Sequence, residues 1–176
     1  MKYISFLCVL TIGLVFGAYA GEAKAARSGD NIVQVALAVN GPGSPYEGQF
    51  DTLIAAVLAA DPLVVNTLSG KGQFTVFAPT DDAFAELGLT PANVGSIDQG
   101  FLSQVLLYHV ARGRRDAVDV LSSHRIRSLQ GNFFFPSSSA TITDALGREA
   151  DIIVTDVSAS NGIIHAIDRV ILPFAP

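Results

Sequence analysis

The sequence has one cysteine, no tryptophan and few charged residues. Its single cysteine, Cys8, lies in an apolar N-terminal run, so the rest of the chain has no cysteine to form a disulfide or bind a metal. Charged residues are only 15% of the chain and hydrophobic residues are 49%, a balance that argues against disorder and for a packed core. We therefore expect the fold to be stabilised by core burial, which is feasible for one domain of this length.

Basic charge is also scarce. Without the N-terminal run that contains Lys2, 10 Lys and Arg residues stand against 16 Asp and Glu residues, a formal charge of −6. This balance indicates no basic face, so we expect no nucleic-acid partner. One local basic cluster remains at Arg112, Arg114 and Arg115. We interpret it as a solvated loop, and the alternative is a contact site for an anionic polymer or lipid headgroups.

The N-terminus has the pattern of an export signal. Lys2 precedes an uncharged apolar run, and Ala18-Tyr19-Ala20 has the small-x-small form of a signal-peptidase site. We expect residues 1–20 to be a cleaved signal peptide, with a second possible site after Ala25, and residues 21–29 to be a flexible leader. This predicts a secreted protein, extracellular or periplasmic, with no membrane segment after cleavage. The alternative is an uncleaved anchor, because the run is near the short limit for a spanning helix.

Helical patterns dominate the first half of the remaining chain and strand patterns the second. The predicted helices cover residues 31–39 (capped by Asp30), 49–60, 63–68 (started by Asp61 with Pro62 at the first position) and 97–107, with a short helix capped by Thr90 and a helical turn over residues 116–121. The helix over residues 49–60 carries an apolar stripe that runs from Phe50 to Leu58. The predicted strands cover residues 74–77, 126–129, 132–135, 140–143, 152–156 and 163–172. Such segregation predicts an α+β layered fold.

Two stretches outside these patterns are candidate contact sites. Residues 40–48 contain three glycines and two prolines, which predicts a loop, and Tyr46 on it is a candidate contact residue. Phe133, Phe134 and Phe135 are consecutive, and neighbouring strand residues point to opposite faces. Either a helix or loop covers the second face, or part of this run forms an apolar groove for a lipid, pigment or protein.

The most informative stretch is residues 74–84, which predicts a strand, a stop and a helix start. Phe77 ends a run of strand formers, and Pro79 cannot donate to a ladder. Thr80 or Asp81 is then a good N-cap for a helix whose apolar face includes Phe84.

This stretch resembles the first signature motif of the fasciclin domain, which reads approximately F-T-V-F-A-P-T-D-x-A-F. Residues 106–110 are similar to the family's Tyr-His motif, and residues 160–173 to its second signature motif. The resemblance implies a single fasciclin domain over residues 30–176, with a twisted β wedge or sandwich and helices packed along one side. We expect the matching motif residues to be mainly structural: Phe77, Pro79, Thr80, Asp81, Phe84, Asn161, Gly162, His165 and Asp168.

The resemblance also implies possible partners. In the family the Tyr-His motif, here Tyr108 and His109, is associated with cell adhesion, although the same residues also fit a buried core. Some fasciclin-like proteins carry apolar ligands. The leading hypothesis is therefore a non-enzymatic interaction or adhesion module that binds a protein or a cell-surface polymer. The alternative is a carrier of an apolar small molecule, such as a lipid or pigment.

Catalysis is the third possibility. His109 and His165 could act with Asp81 or Asp168 as a metal or general-base site, but their spacing matches no recognised metal pattern. The sequence also contains no Gly-x-Ser-x-Gly nucleophile elbow and no phosphate-binding glycine motif. We therefore expect no enzyme activity, no metal site and no cofactor.

Overall fold

The computed structural model describes residues 29–174. The expected signal peptide, both possible cleavage sites and nearly all of the leader lie outside these residues. In chain order the elements are α1 (Ile32–Asn40), α2 (Asp51–Ala59), α3 (Pro62–Ser69), β1 (Phe74–Pro79), α4 (Asp81–Ala85), a 3₁₀ turn (Val94–Ser96), α5 (Gln99–Tyr108), β2 (Val110–Arg112), α6 (Ala117–Ser122), β3 (Ile126–Arg127), β4 (Phe133–Pro136), β5 (Thr141–Thr143), β6 (Glu149–Ala159) and β7 (Gly162–Ile167).

Local capping chemistry explains where the first helices begin. Asn31, not the expected Asp30, caps α1, because its side chain accepts from the Gln34 N–H while the Gln34 side chain accepts from the Asn31 N–H. Asp61 caps α3, and Pro62 occupies the first helical position as predicted.

One local prediction was wrong, and one strand was not predicted. The short helix expected after Thr90 is only a 3₁₀ turn, because the Asn93 side chain accepts from the Thr90 N–H and donates to the Gly88 carbonyl. No strand was predicted over residues 110–112, where the structure has β2. That strand pairs with β1 more than 30 positions earlier in the chain, a contact that three residues of local sequence do not indicate.

Within the described part of the chain, seven strands form one sheet in the order β2-β1-β7-β6-β5-β4-β3. Among these described strands only β1 and β7 run parallel, and the other neighbouring strands are antiparallel. A bridge between Ala111 and Ser128 connects the β2 edge to the chain next to β3, so the sheet is nearly closed. With helices alongside this sheet, the α+β prediction is confirmed.

The sheet has a core on each face. The inner core receives at least one residue from every strand, including Phe77 of β1 and Phe134 of β4. The helix-side core joins α1, α2, α3 and α5 to the opposite face through Val76 and Ala78 of β1. Alternation along β1 therefore supplies both cores.

Among residues 29–174, no single helix is long and apolar enough to cross a membrane. The pair α2 and α3 meets the length and composition criteria only when taken together, and it is bent by 114°.

Candidate functional site: an apolar pocket between three helices

The three consecutive phenylalanines have three different environments. Phe134 is fully buried in the inner core, where its ring packs edge-on against Phe77 at 5.0 Å and against Tyr108 at 5.9 Å between ring centroids. Phe133 is half-buried beneath the Arg125 guanidinium, which lies 4.7 Å from the ring centroid. Phe135 is 46% exposed. The three residues form no common groove, and only Phe135 presents a large apolar surface to solvent.

Tyr108 is a buried structural residue. Its hydroxyl donates to the Phe133 carbonyl at 2.8 Å and accepts from the Ala145 N–H at 3.1 Å. Burial raises the pKa of the Tyr108 phenol to about 12. The hydroxyl therefore joins the end of α5 to β4 and to the turn between β5 and β6, and it lies out of reach of a partner at the surface.

His109 is also buried with both ring nitrogens engaged. Nε2 accepts from the Ile171 N–H at 3.1 Å, so Nδ1 carries the proton and donates to the Val105 carbonyl at 2.8 Å. Burial lowers the pKa of His109 to about 4. This neutral, doubly bonded imidazole favours the structural interpretation of the Tyr-His motif.

His165 has a similar arrangement in β7. It is fully buried and stacks on Phe77 with 5.6 Å between ring centroids. Its Nδ1 accepts from the Asp156 N–H at 3.2 Å, so Nε2 carries the proton that is donated to the Arg115 carbonyl at 3.0 Å. Burial lowers the pKa of His165 as well. Neither buried histidine has a free nitrogen for general-base chemistry.

The motif carboxylates are occupied by backbone N–H groups. Thr80, not Asp81, caps α4 through the Ala83 N–H. The Asp81 carboxylate instead accepts from the Thr52 N–H at 2.8 Å, in the first turn of α2. Asp168 accepts from the Asp151 N–H at 2.7 Å. Within residues 29–174 no group of three or more His, Cys, Asp or Glu residues could hold a metal ion.

Asn161 and Gly162 connect two helices to the sheet. The Asn161 side-chain oxygen accepts from the Ile32 N–H at 2.8 Å, and its amide donates to the carbonyls of Leu68 at 2.7 Å and Gly70 at 3.0 Å. At Gly162 a Cβ atom would overlap the Phe74 carbonyl, so the close approach of β7 to β1 requires glycine. Asn161 thus holds the start of α1 and the end of α3.

The basic cluster is only partly a solvated loop. Arg114 donates to the carbonyls of Ala159 at 2.9 Å and Gly162 at 2.6 Å, which ties it to the β6–β7 turn. The Arg115 backbone N–H donates to the Thr75 hydroxyl at 2.9 Å. Arg112 is exposed on β2. Arg114 is exposed as well and Arg115 is half-buried, so a contact surface for an anionic polymer would consist mainly of Arg112 and Arg114, with Arg114 held in place by its two bonds.

Tyr46 lies half-buried against the helix-side core. It lines a small apolar pocket of about 30 Å³ together with Phe50 and Val154. Its ring is therefore partly committed to packing. The loop itself is polar, exposed and built from turns, as the sequence predicts.

A larger apolar pocket of about 230 Å³ lies between α1, α2 and α3. Its floor includes Val76 of β1 and Val110 of β2, both buried. Leu37 is 50% exposed and Leu58 is 76% exposed, and both line the pocket, so it reaches the surface. The complete lining consists of Ile32, Val33, Ala36, Leu37, Leu53, Ile54, Val57, Leu58, Val64, Val65, Leu68, Val76, Phe77, Leu106, His109 and Val110.

This pocket was not predicted from the sequence, although the sequence contains a signal for it. The apolar stripe expected on α2 runs from Phe50 to Leu58. Phe50 and Leu53 are buried as expected, but Val57 is half-buried and Leu58 is exposed. The stripe is thus wider than the face of α2 that packs against the core. Val57 and Leu58, which lie outside that buried face, line the pocket.

Comparison with known proteins agrees with the fold and motifs. A family model described as the Fasciclin domain matches residues 48–173. Protein sll1483 of Synechocystis sp. is 43% identical over 128 residues, covering 70% of this chain and 67% of that protein. The cell surface glycolipoprotein MPB83 of Mycobacterium bovis is 28% identical over 142 residues, covering 81% of this chain and 62% of that protein.

A solved structure adds fold evidence. The FAS1 domain pair from the insect cell adhesion molecule fasciclin I is 20% identical with a TM-score of 0.51, and the match covers 66% of this chain and 42% of that one. Taken with the family-model match over most of the chain and the motif geometry described above, this chain belongs to the fasciclin domain family.

Proposed function

We propose that this chain is an exported, non-enzymatic interaction module that binds a partner protein at the cell exterior. The observation that carries the proposal is an apolar rim, defined here as Leu37 on α1 and Leu58 on α2. These side chains are 50% and 76% exposed and flank the pocket between α1, α2 and α3. Large apolar side chains gathered at one surface site favour contact with another apolar surface. A sugar polymer would find no hydrogen-bonding group on these two side chains, so a protein partner is the better fit.

The engagement of the polar motif residues supports a non-enzymatic role. Both buried histidines use both ring nitrogens for internal hydrogen bonds. Asp81 and Asp168 accept from backbone N–H groups. A general base needs a nitrogen or oxygen within hydrogen-bond reach of a substrate. These four side chains therefore serve the fold rather than a reaction.

Export is supported by the N-terminal pattern and by the relatives. The apolar run and the Ala18-Tyr19-Ala20 site have the form of a signal peptide, and MPB83 is a cell surface glycolipoprotein by its name. The intact mass of the protein recovered from its own host tests this part. A mass equal to that of a chain whose first residue is Gly21 or Ala26 supports export with cleavage. A membrane-bound protein that retains residues 1–20 contradicts cleavage.

The binding proposal has a matched pair of variants. Leu58 on α2 and Val118 on α6 are both 76% exposed, and only Leu58 lines the pocket. We expect fluorescently labelled Leu58→Asp to lose at least tenfold in attachment to protease-accessible protein on host cells, while Val118→Asp attaches like the unmodified chain. Equal attachment by the two variants would contradict the proposal. Attachment that survives protease treatment but is lost after glycosidase treatment would identify a polymer partner instead.

A second candidate function is transport or storage of an apolar small molecule, and the pocket favours it. An aliphatic pocket of about 230 Å³ that reaches the surface resembles a ligand site more than a packing defect. Native mass spectrometry of the protein purified gently from its host tests this candidate. An added mass of a few hundred daltons supports it, and a chain of bare mature mass opposes it.

A further inference from the structure

The lining and shape of the pocket narrow the class of ligand, and this inference deepens the second candidate function by naming the ligand that the pocket would hold. We propose that the pocket between α1, α2 and α3 binds the aliphatic tail of one single-chain amphiphile, of the fatty-acid type. The tail lies against the floor formed by Val76 and Val110, and the polar head remains in water at the rim of Leu37 and Leu58.

The lining admits hydrocarbon only. Apart from His109, all its side chains are aliphatic or the phenyl ring of Phe77. His109 offers no free nitrogen, because one accepts from the Ile171 N–H and the other donates to the Val105 carbonyl. A polar group placed inside would lose its hydrogen bonds to water and find no replacement, which is strongly unfavourable. The buried part of the ligand therefore lacks donors and acceptors.

The pocket has one buried end and one exposed end. Val76 and Val110 at the floor are 8% and 2% exposed, whereas Leu37 and Leu58 at the rim are 50% and 76% exposed. A linear amphiphile satisfies both ends, because its tail can enter first while its head keeps its water. A molecule with polar groups at both ends would have to desolvate one of them.

The volume fits one tail. At about 230 Å³ the pocket exceeds the cavity of roughly 150 Å³ that holds a benzene ring in an engineered protein. It is smaller than the roughly 300–1,000 Å³ of sites that enclose drug-sized molecules. A single chain is therefore favoured over a two-chain phospholipid.

Polar anchors at the helix ends keep the three helices in place. Asn161 holds the start of α1 and the end of α3. Asp81 holds the first turn of α2. The Ser103 hydroxyl accepts from the Asp61 N–H at 2.9 Å, at the start of α3. These bonds lie outside the pocket and hold the helices at their present spacing. The space between the helices is therefore a fixed feature of the fold.

A chain-length series tests the ligand class. Octanoate, decanoate and dodecanoate are titrated calorimetrically into the delipidated, exported chain. We expect one site, with affinity rising about fourfold for each added methylene until the tail outgrows the pocket. Dodecanedioate, which has a second carboxylate at the far end, should bind at least tenfold more weakly than dodecanoate. Unsaturable binding, a flat length series or equal binding of the dicarboxylate would overturn the proposal.

Two alanines on α1 provide the matched variants. Ala36 lines the pocket and Ala38 is exposed on the same helix. Ala36→Phe should fill the pocket and weaken dodecanoate binding at least tenfold, whereas Ala38→Phe should stay within twofold of the unmodified chain. Equal binding by a folded Ala36→Phe would place the ligand elsewhere.

A measurement on the unmodified protein covers the case in which Ala36→Phe does not fold. Dodecanoate should shift the methyl NMR signals of Val57 and Val65, which line the pocket, and leave Val118 unchanged. Shifts confined to other methyl groups would overturn the proposal.

The tests separate this inference from the proposed functions. If dodecanoate fails to bind while attachment to cells still depends on Leu58, only the pocket inference is lost. If dodecanoate binds as expected but the native isolate carries no ligand, the carrier function is lost and the assignment of the pocket remains.

Discussion

The Asp81 carboxylate caps a helix 29 positions earlier in the chain, where it accepts from the Thr52 N–H at 2.8 Å. In return, the Asp81 backbone N–H donates to the Gln49 carbonyl at 2.8 Å. This reciprocal pair joins the end of β1 to the start of α2. The first signature motif thus positions one wall of the apolar pocket, and the adjacent Thr80 begins its own helix.

Removing the Asp81 carboxylate should destabilise the fold. Asp81→Ala leaves the Thr52 N–H without its acceptor, and loss of an N-cap side chain costs about 0.5–2 kcal/mol of unfolding free energy. Asp81→Asn should recover most of this loss, because an amide oxygen can accept the same bond. Urea unfolding measures both variants, with the neighbouring exposed Asp82→Ala as control. An Asp81→Ala variant as stable as the parent would remove the structural role assigned to this residue.

Asn161→Ala should lower the unfolding free energy more than Asp81→Ala does. The substitution leaves the Ile32 N–H and the Leu68 and Gly70 carbonyls without partners near the protein interior. Each unsatisfied buried group costs about 1–3 kcal/mol, so we expect a loss of about 3 kcal/mol or more in chemical denaturation. Hydrogen exchange should also accelerate at the start of α1. Unchanged exchange at Ile32 would mean that the bond contributes little to holding this helix.

Alanine substitutions in the phenylalanine run should have very different effects on stability at different positions. Phe134→Ala removes a fully buried ring and should cost about 3–5 kcal/mol. Phe135→Ala removes a ring that is 46% exposed and should change stability by less than about 1 kcal/mol. Thermal unfolding of the two variants side by side tests this. Similar losses for both would show that Phe135 is covered in solution, for example by a second copy of the chain.

Stability should fall as the pH decreases from 7 to 5. The pKa of His109 is lowered to about 4 in the fold, while an unfolded histidine titrates near about 6.5. Between these values the unfolded state binds more protons, so stability rises with pH in this window and is lost as pH falls. The lowered pKa of His165 acts in the same direction.

For His109 alone, the loss of unfolding free energy between its unfolded pKa and its folded pKa amounts to about 3 kcal/mol. Urea unfolding at pH 7, 6 and 5 measures the slope, and the range above pH 5 avoids most carboxylate titration. The exposed His124→Gln variant is the control and should keep the same slope. A flat profile between pH 7 and 5 would contradict the neutral, buried assignment of both histidines.

The sequence predicts those parts of the fold that depend on interactions between residues close together in the chain. It does not predict the parts that depend on contacts between distant residues. The β1–α4 junction follows from Pro79, which ends the ladder, and Thr80, which caps the next helix; both effects act within a few residues. The choice of Asn31 over Asp30 as the cap of α1 was missed because the two residues have similar capping propensity. Strand β2 was missed because its partner β1 is distant in the sequence.

The site shows the same division. The sequence predicts that β4 cannot send all three phenylalanines to one core, but it does not say which is buried. The inner core decides in favour of Phe134, because Phe77 and Tyr108 meet it from other elements. Likewise, the apolar stripe of α2 is visible in the sequence, whereas the exposure of Leu58 depends on how α1 and α3 pack beside it.

The sequence by itself determined the α+β class, the fasciclin motifs and most helix and strand positions, because periodicity, capping and turn chemistry act over a few residues. Only the tertiary structure decided the roles of the motif side chains and the existence of the pocket. Tyr108, His109, Asp81 and Asn161 form bonds to residues as far as 129 positions away. Whether a polar group is satisfied, and whether three helices close over a core or leave space, depends on such long-range placement.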